Sequence, residues 1–447
     1  MGLINARVQY AVGQGGFHAA TVITSGRPDL TYVVDCGAMT AYAADRNRCI
    51  DAYLKTRKPE KGGQGDLDFL FITHAHADHL NGVARLLDKK SGVHAKTVVM
   101  PMLTVIERLA CFARTATVDP KSAGGRFYID FTLDPVDALS QFRPGQIVLI
   151  GSGDPDTGAP FSRDAPDPNS DQLIPRPLTS TNLEDASPQV VGVGEPRVLP
   201  SSAKTGKHLK MRGVPDAVVM PDTLGFIYDV TGTTINWLIA PFLDPAVKAE
   251  TASFVKELSK QLGFSVKQLL NWLETDIANV ESLLTSDLPK LTEAYKAVKK
   301  DLNITSLCVY SGPVVSHPAP HAHVCVGVGV GLHMARIHGP DTKQGWLGTG
   351  DAALKEKARR NGFLTHYGRL LQQVHTFMVP HHGSEGNFDK ALLEAIKPLL
   401  CVAAADYVPN WRHPGTHVVQ NAASYGAGLS VVTSSPASQL YEDIYLY

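Results

Sequence analysis

Apolar residues in the first 150 positions fall into short runs separated by stretches of helical pattern. Tyr32-Val33-Val34 is aromatic and β-branched, and it ends at Asp35-Cys36-Gly37, where glycine permits a sharp turn. Leu67 to Ile72 is a second run, followed by a helical pattern from about Asp78 to Leu87. Thr97 to Met100 is a third, stopped by Pro101. Strands that alternate with helices predict an α/β or mixed layered fold.

From about Gly151 to Pro215 the periodicity disappears, and Pro, Asp, Ser and Gly dominate. A connection of this length reads as a functional flap or a disordered insertion. It ends in Lys204, Lys207, Lys210 and Arg212, which suit a solvated loop or a patch tracking phosphates. Helical spacing is clearest over 246–300: Phe254, Leu258 and Leu262 repeat at i, i+4. Leu269, Leu270, Trp272, Leu273 and Ile277 continue the pattern after Gly263, and Leu288 to Val298 follows a Ser286-Asp287 cap. These amphipathic helices are expected to pack on the core or on a protein partner. The chain thus divides into halves 1–150 and 301–447, a loop insertion at 151–215 and a mainly helical insertion at 216–300.

Composition narrows the class. The 447 residues carry 42 Lys+Arg against 43 Asp+Glu, a formal charge of −1, which excludes a polybasic nucleic-acid coat but not a local basic groove. With 44% apolar and 19% charged residues the chain is an ordinary globular one. No run approaches the ~18–20 apolar residues of a membrane span, and the N-terminus has no secretory pattern, so a soluble, cytoplasmic protein is expected. Six scattered cysteines without a C-x-x-C suit buried thiols in a reducing compartment and argue against a thiolate zinc site.

Histidine carries more information. Thr73-His74-Ala75-His76-Ala77-Asp78-His79 follows one apolar run and opens a helix. On extended chain His74 and His76 point the same way, while Asp78 and His79 fall in the first helical turn. Four ligand-type side chains therefore converge beyond a strand end, a geometry able to serve two metal ions. Trp346 to Asp351 reads as a strand and glycine turn presenting Asp351, whose two oxygens can bridge two cations. Val374 to Pro380 runs into His381-His382-Gly383-Ser384, a strand-end histidine pair beside a glycine.

The set His74/His76/Asp78/His79, Asp351 and His382 resembles the ligand series of the metallo-β-lactamase fold superfamily, and within it the ComEC-like hydrolase domain. Val12 to Gly15 with Val33 to Gly37 resembles that family's opening strands and D-x-G turn. Asn303 to Leu307 is similar to its N-x-x-S-L entry, Gly350-Asp351-Ala352 to its G-D-A, His381 to Ser384 to its H-H-G-S, and His413-Pro414 to its late H-P. The resemblance spans about 12–435, excluding roughly 151–300. It implies an α/β fold, the four-layer αβ/βα sandwich. Gly16 stands where the family usually has an acidic residue. The third histidine that many members place on the first metal is also missing: Asn303 stands in that region, and His317, His321 and His323 just downstream offer either compensation or a surface loop.

The resemblance implies a hydrolase using a hydroxide bridged by two divalent ions, Zn²⁺ or Mn²⁺, with Asp351 between them and His382 beside Asp78 and His79. Asp78, His381 and His413 are the candidate catalytic groups, the two histidines to orient ligands or protonate a leaving group. Asn303 and Ser384 are candidate weak ligands or substrate contacts. A nucleic acid is the expected substrate, with Lys355 to Arg360 beside Asp351 either guiding its backbone or forming a solvated helix face. A small ester, thioester, lactone or cyclic nucleotide, or an effector subunit controlled by a partner on the 246–300 helices, is the alternative.

Overall fold

The computed structural model describes residues 2–24, 29–57, 65–162, 176–177, 188–199, 217–229, 236–246, 248–298, 305–314, 322–329, 331–339, 342–409 and 411–447. Strand Gly65–Phe71 shows how sequence sets position. It is apolar from Phe69 onward and buried on both faces, the pattern of a central parallel strand. It pairs in parallel with Leu30–Val34 on one side and Val93–Pro101 on the other. Strand Leu3–Gln9 instead alternates buried and half-buried positions, as an antiparallel strand does. It lies between His18–Thr24 and the C-terminal strand Leu440–Leu446, so the two ends of the described chain meet in one sheet.

The described strands form two mixed sheets. The first runs, edge to edge, Gly331–Gly339, Ala322–Val328, Leu440–Leu446, Leu3–Gln9, His18–Thr24, Leu30–Val34, Gly65–Phe71, Val93–Pro101, Gln146–Gly151, Ala217–Pro221, Arg197–Leu199. The second runs Gly428–Val432, Leu400–Ala404, Val374–Met378, Gly345–Gly348, Ser306–Val314, Asn236–Asp244, Leu224–Asp229, Gln189–Gly192, Arg176–Pro177. Tyr32, Phe69, Phe71 and Val99 from one sheet and Phe226, Trp237, Ile239 and Trp346 from the other share a core between them. A second core lies outside the first sheet, under helices Ala43–Arg57 and Val105–Val118. A third lies outside the other sheet, under Lys357–Tyr367, Ala391–Ile396 and Thr416–Ser424. The order of layers is helix, sheet, sheet, helix, the sandwich expected from the resemblance.

Two expectations about the middle of the chain change. Residues 217–221, 224–229 and 236–244, placed in a mainly helical insertion, are strands that extend the two sheets, and helix starts at Lys248. The apolar stripe of helices Lys248–Leu262, Val266–Thr275, Ile277–Leu284 and Leu288–Ala297 is used inside the molecule. Phe254, Leu258, Leu269, Leu273, Leu283 and Leu291 join the same core as Leu109, Phe112 and Phe131. Within 151–215, strands form at Gln189–Gly192 and Arg197–Leu199, while Lys204, Lys207, Lys210 and Arg212 lie outside the described residues.

A candidate metal centre at the strand ends

In both sheets the central parallel strands stop at one edge of the sandwich, where the carboxyl ends of strands commonly gather ligands. Leu30–Val34 delivers Asp35, Gly65–Phe71 the loop of His74 to His79, Gly345–Gly348 Asp351, and Val374–Met378 the pair His381 and His382. The sheets are tied together here by Leu307 N–H donating to Thr73 O at 2.7 Å and by Asp351 N–H donating to Ser306 Oγ at 3.0 Å. Turning out of a strand this abruptly requires left-handed backbone at Asp35 (φ 59°), Gly350 (49°), His381 (49°) and His382 (57°). For the three that are not glycine this is strain of a kind that concentrates at functional sites.

Four histidines at the edge, His74, His79, His381 and His382, have Nδ1 tied down. Asp35 Oδ2 accepts from His79 Nδ1 (2.8 Å) and from the Thr73 hydroxyl (2.7 Å). Because that hydroxyl spends its proton on Asp35, His74 Nδ1–H donates to Thr73 Oγ1 at 2.9 Å. His382 Nδ1–H donates to the Ala404 carbonyl at 2.7 Å. Asn387 uses its amide N–H groups on the Asp351 and Ala352 carbonyls, so its oxygen accepts from His381 Nδ1 at 3.0 Å. All four Nε2 atoms are thereby left as the inward-facing nitrogens, the outer-sphere arrangement that fixes tautomers of metal-binding imidazoles.

Those nitrogens surround Asp351. Its Oδ2 lies 3.3 Å from His74 Nε2, 3.4 Å from His76 Nδ1 and 3.5 Å from His381 Nε2. Its Oδ1 lies 3.8 Å from both His79 Nε2 and His382 Nε2, and Asp78 Oδ2 is 3.7 Å from the latter. Two groups of donors gather within 4.8 Å of one another among the described residues: His74, His79 and Asp351, and Asp78, His79 and His382. His74 Nε2 and Asp351 Oδ1 are buried and have no hydrogen-bond partner among those residues. Buried acceptors of this kind are costly without a partner, and a nitrogen–oxygen set without thiolate suits a divalent cation.

The electrostatics agree. Burial opposes ionisation of Asp78, yet the neighbouring His79, His382, His76 and Arg114 outweigh it and hold the carboxyl at about 2. Asp351 likewise falls well below the usual carboxylate range against burial, through His381 and His74. Burial pushes His382 down to about 3 and, with Arg114, pushes His76 well below its ordinary value. His79 goes the other way: burial is overcome by Asp35, Asp78 and Asp351, which hold it at about 9.

Arg114, buried on helix Val105–Val118, reaches this edge as well. It donates from Nη1 to His76 Nδ1 at 3.1 Å and from Nη2 to His381 Nε2 at 3.2 Å, with its guanidinium 5.6 Å over Trp411. His76 therefore meets Asp351 but belongs to neither donor group. His381 is drawn into the cluster rather than standing behind it. His413 is half-buried, with its ring 6.0 Å from that of His381. The Ser384 hydroxyl accepts from Gly386 N–H within its own turn. Asn303, His317 and His321 lie outside the described residues, and His323 packs on Tyr445 in the first sheet, 5.7 Å between rings.

Much of the basic run after Asp351 is occupied. Arg359 pairs with Asp244 at 2.6 Å, Arg360 with Asp389 at 3.1 Å, and Lys355 donates to the Glu385 carbonyl at 2.8 Å. Arg114 and Asn387 have no place in the sequence reading, while Thr73 enters only as the head of the histidine motif and Asp35 only as part of a turn. Arg114 left one signal, a charge whose i−3 and i−4 neighbours, Cys111 and Ala110, lie on an apolar helix face. Gly16 also becomes intelligible, because a Cβ there would stand 2.9 Å from both Asp35 Cβ and His79 Nδ1.

Residues 13–158 match the family model described as Metallo-beta-lactamase superfamily. No curated protein matches the chain. The match covers the strand ends carrying Asp35 and His74 to His79, and the sandwich is that superfamily's fold. Together with the two donor groups it supports a metal-dependent hydrolase.

Proposed function

We propose that the chain is a phosphodiesterase acting on DNA or RNA, a nuclease that uses two divalent ions, Zn²⁺ or Mn²⁺. The observation that carries this reading is the placement of Asp351, whose two oxygens face separate sets of imidazoles. His74 and His76 would hold one ion and Asp78, His79 and His382 the other, with Asp351 between. Bound there, such ions supply Lewis acidity that generates a nucleophile from water and stabilises both the entering and leaving oxygens at phosphorus.

The protein's own groups do the rest. Asp35 holds His79 by Nδ1, and Thr73 and Ala404 O hold His74 and His382, so the rings are set before substrate arrives. Arg114 adds a positive charge beside the donors, the kind of group that receives a phosphoryl oxygen. His413, at the rim beyond His381, is the candidate proton donor to the leaving group.

A second reading is favoured by the pairing of Arg359 and Arg360 with Asp244 and Asp389, which removes part of the expected backbone track. It is hydrolysis of a compact substrate such as a cyclic nucleotide or lactone. Purified protein reconstituted with zinc or manganese is to be assayed on linear and circular DNA, RNA, cyclic nucleotides and a lactone panel, beside Asp351→Ala. Cleavage of polynucleotide, lost in the variant, is expected. Turnover confined to small substrates would favour the second reading, and polynucleotide cleavage that persists in Asp351→Ala would overturn the proposal.

A further inference from the structure

The resemblance leads to an expected third histidine upstream of Ser306 for the ion near His74 and His76. That region of the sequence offers Asn303 and no histidine. The geometry supplies a different imidazole. His381 Nε2 approaches Asp351 Oδ2 at 3.5 Å, next to His74 Nε2 at 3.3 Å and His76 Nδ1 at 3.4 Å. His382, one residue on, faces the other oxygen at 3.8 Å. The adjacent pair therefore divides between the two oxygens of one carboxylate.

Two features make this division a property of the fold. Left-handed backbone at both His381 and His382 turns consecutive rings toward the same carboxylate, a conformation that costs energy for residues with a Cβ. Asn387 then fixes His381 by accepting from Nδ1, as Asp35 fixes His79 and Thr73 fixes His74. A ring meant only to donate a proton from the rim does not need its lone pair aimed at a buried carboxylate that already faces two other imidazoles.

We propose that His381 is a metal ligand, completing with His74, His76 and Asp351 the ion site on the Oδ2 side. The proposal rests on the metal-dependent reading of the centre but not on the substrate. Arg114 now donates into the same lone pairs of His76 and His381, so an ion taking them displaces the guanidinium. A lone pair accepts one hydrogen bond or binds one ion at a time.

The test reads metal rather than turnover. Apoprotein and its His381→Asn variant are to be titrated with Co²⁺, following visible absorption, and loaded with Zn²⁺ for elemental analysis. Asparagine tolerates left-handed backbone, so the turn is preserved. Wild type is expected to take two equivalents. The variant should keep one at unchanged affinity and bind the other at least about 100-fold more weakly, beyond the range for losing an outer-sphere partner. Should His381→Asn fail to fold by circular dichroism, Asn387→Leu, which releases His381 Nδ1 together with the Asp351 and Ala352 carbonyls, should weaken one equivalent about 10-fold. A folded His381→Asn that takes two equivalents with wild-type affinity would overturn the proposal, as would a single equivalent in wild type. Failure to cleave any phosphodiester by a protein that loads as expected would leave the ligand assignment standing and remove only the substrate.

Discussion

Two buried clusters of ionisable residues lie in this sandwich, and they differ in their balance of charge. The first joins Arg7 and Glu442, which face each other on paired strands, with His375 and Thr376. Arg7 donates to Asn5 Oδ1 and the Gln344 carbonyl, and Glu442 accepts from the Thr376 hydroxyl and lies 3.3 Å from His375 Nδ1. One cation meets one anion. The second cluster buries three carboxylates, Asp35, Asp78 and Asp351, with one guanidinium, Arg114. Protonated, His79 offsets one of the two excess negative charges, and the remainder invites a cation. Buried charge must be balanced, so the cluster left short is the one expected to bind an ion, although both contain histidine.

The comparison breaks most visibly at Asp351. Replacing it with alanine should abolish binding of at least one metal equivalent and lower turnover about 1,000-fold or more, read by elemental analysis and steady-state assay. Glu442→Gln should leave metal content unchanged and cost stability instead. Burial opposes the Glu442 charge, but His375, Arg7 and Thr376 hold its carboxyl at about 2 against an ordinary 4.5. A lowered carboxyl stabilises the fold above pH 4.5, and that contribution is lost as pH falls toward 2. The difference is worth roughly 3 kcal/mol. Urea unfolding between pH 2 and 5 should therefore show a steep slope in wild type and a shallower one in Glu442→Gln. Asp35→Asn, which loosens the grip on His79, should weaken metal binding about 10- to 100-fold with the fold intact. Arg114→Met has the smallest expected effect, a several-fold tightening of one equivalent, because a positive charge is removed beside an ion.

The contrast also separates what the chain announces from what it conceals. His74, His76, Asp78 and His79 were legible because a single strand–helix junction carries all four, and Asp351 and His382 because glycine-marked strand ends present them. The roles of Asp35, Thr73, Arg114 and Asn387 arise from tertiary contact. Arg114 reaches His76 only because helix Val105–Val118 packs beside the His74 to His79 loop, 38 residues away in sequence. The strands over 217–244 were missed for another reason. Ala217–Pro221 and Leu224–Asp229 are short, largely buried apolar runs without clean alternation, so periodicity cannot tell them from helix. The helices after 248 were read correctly as amphipathic, but amphipathicity does not say which surface covers the stripe.

The central claim is that imidazoles and carboxylates from both halves of the chain meet to hold transition-metal ions. Anomalous diffraction from crystals of protein grown with Zn²⁺, recorded above and below the zinc absorption edge, tests it directly. One peak is expected between Asp78, His79 and His382 and a second on the far side of Asp351. A well-ordered site with no anomalous density beside Asp351 would contradict it.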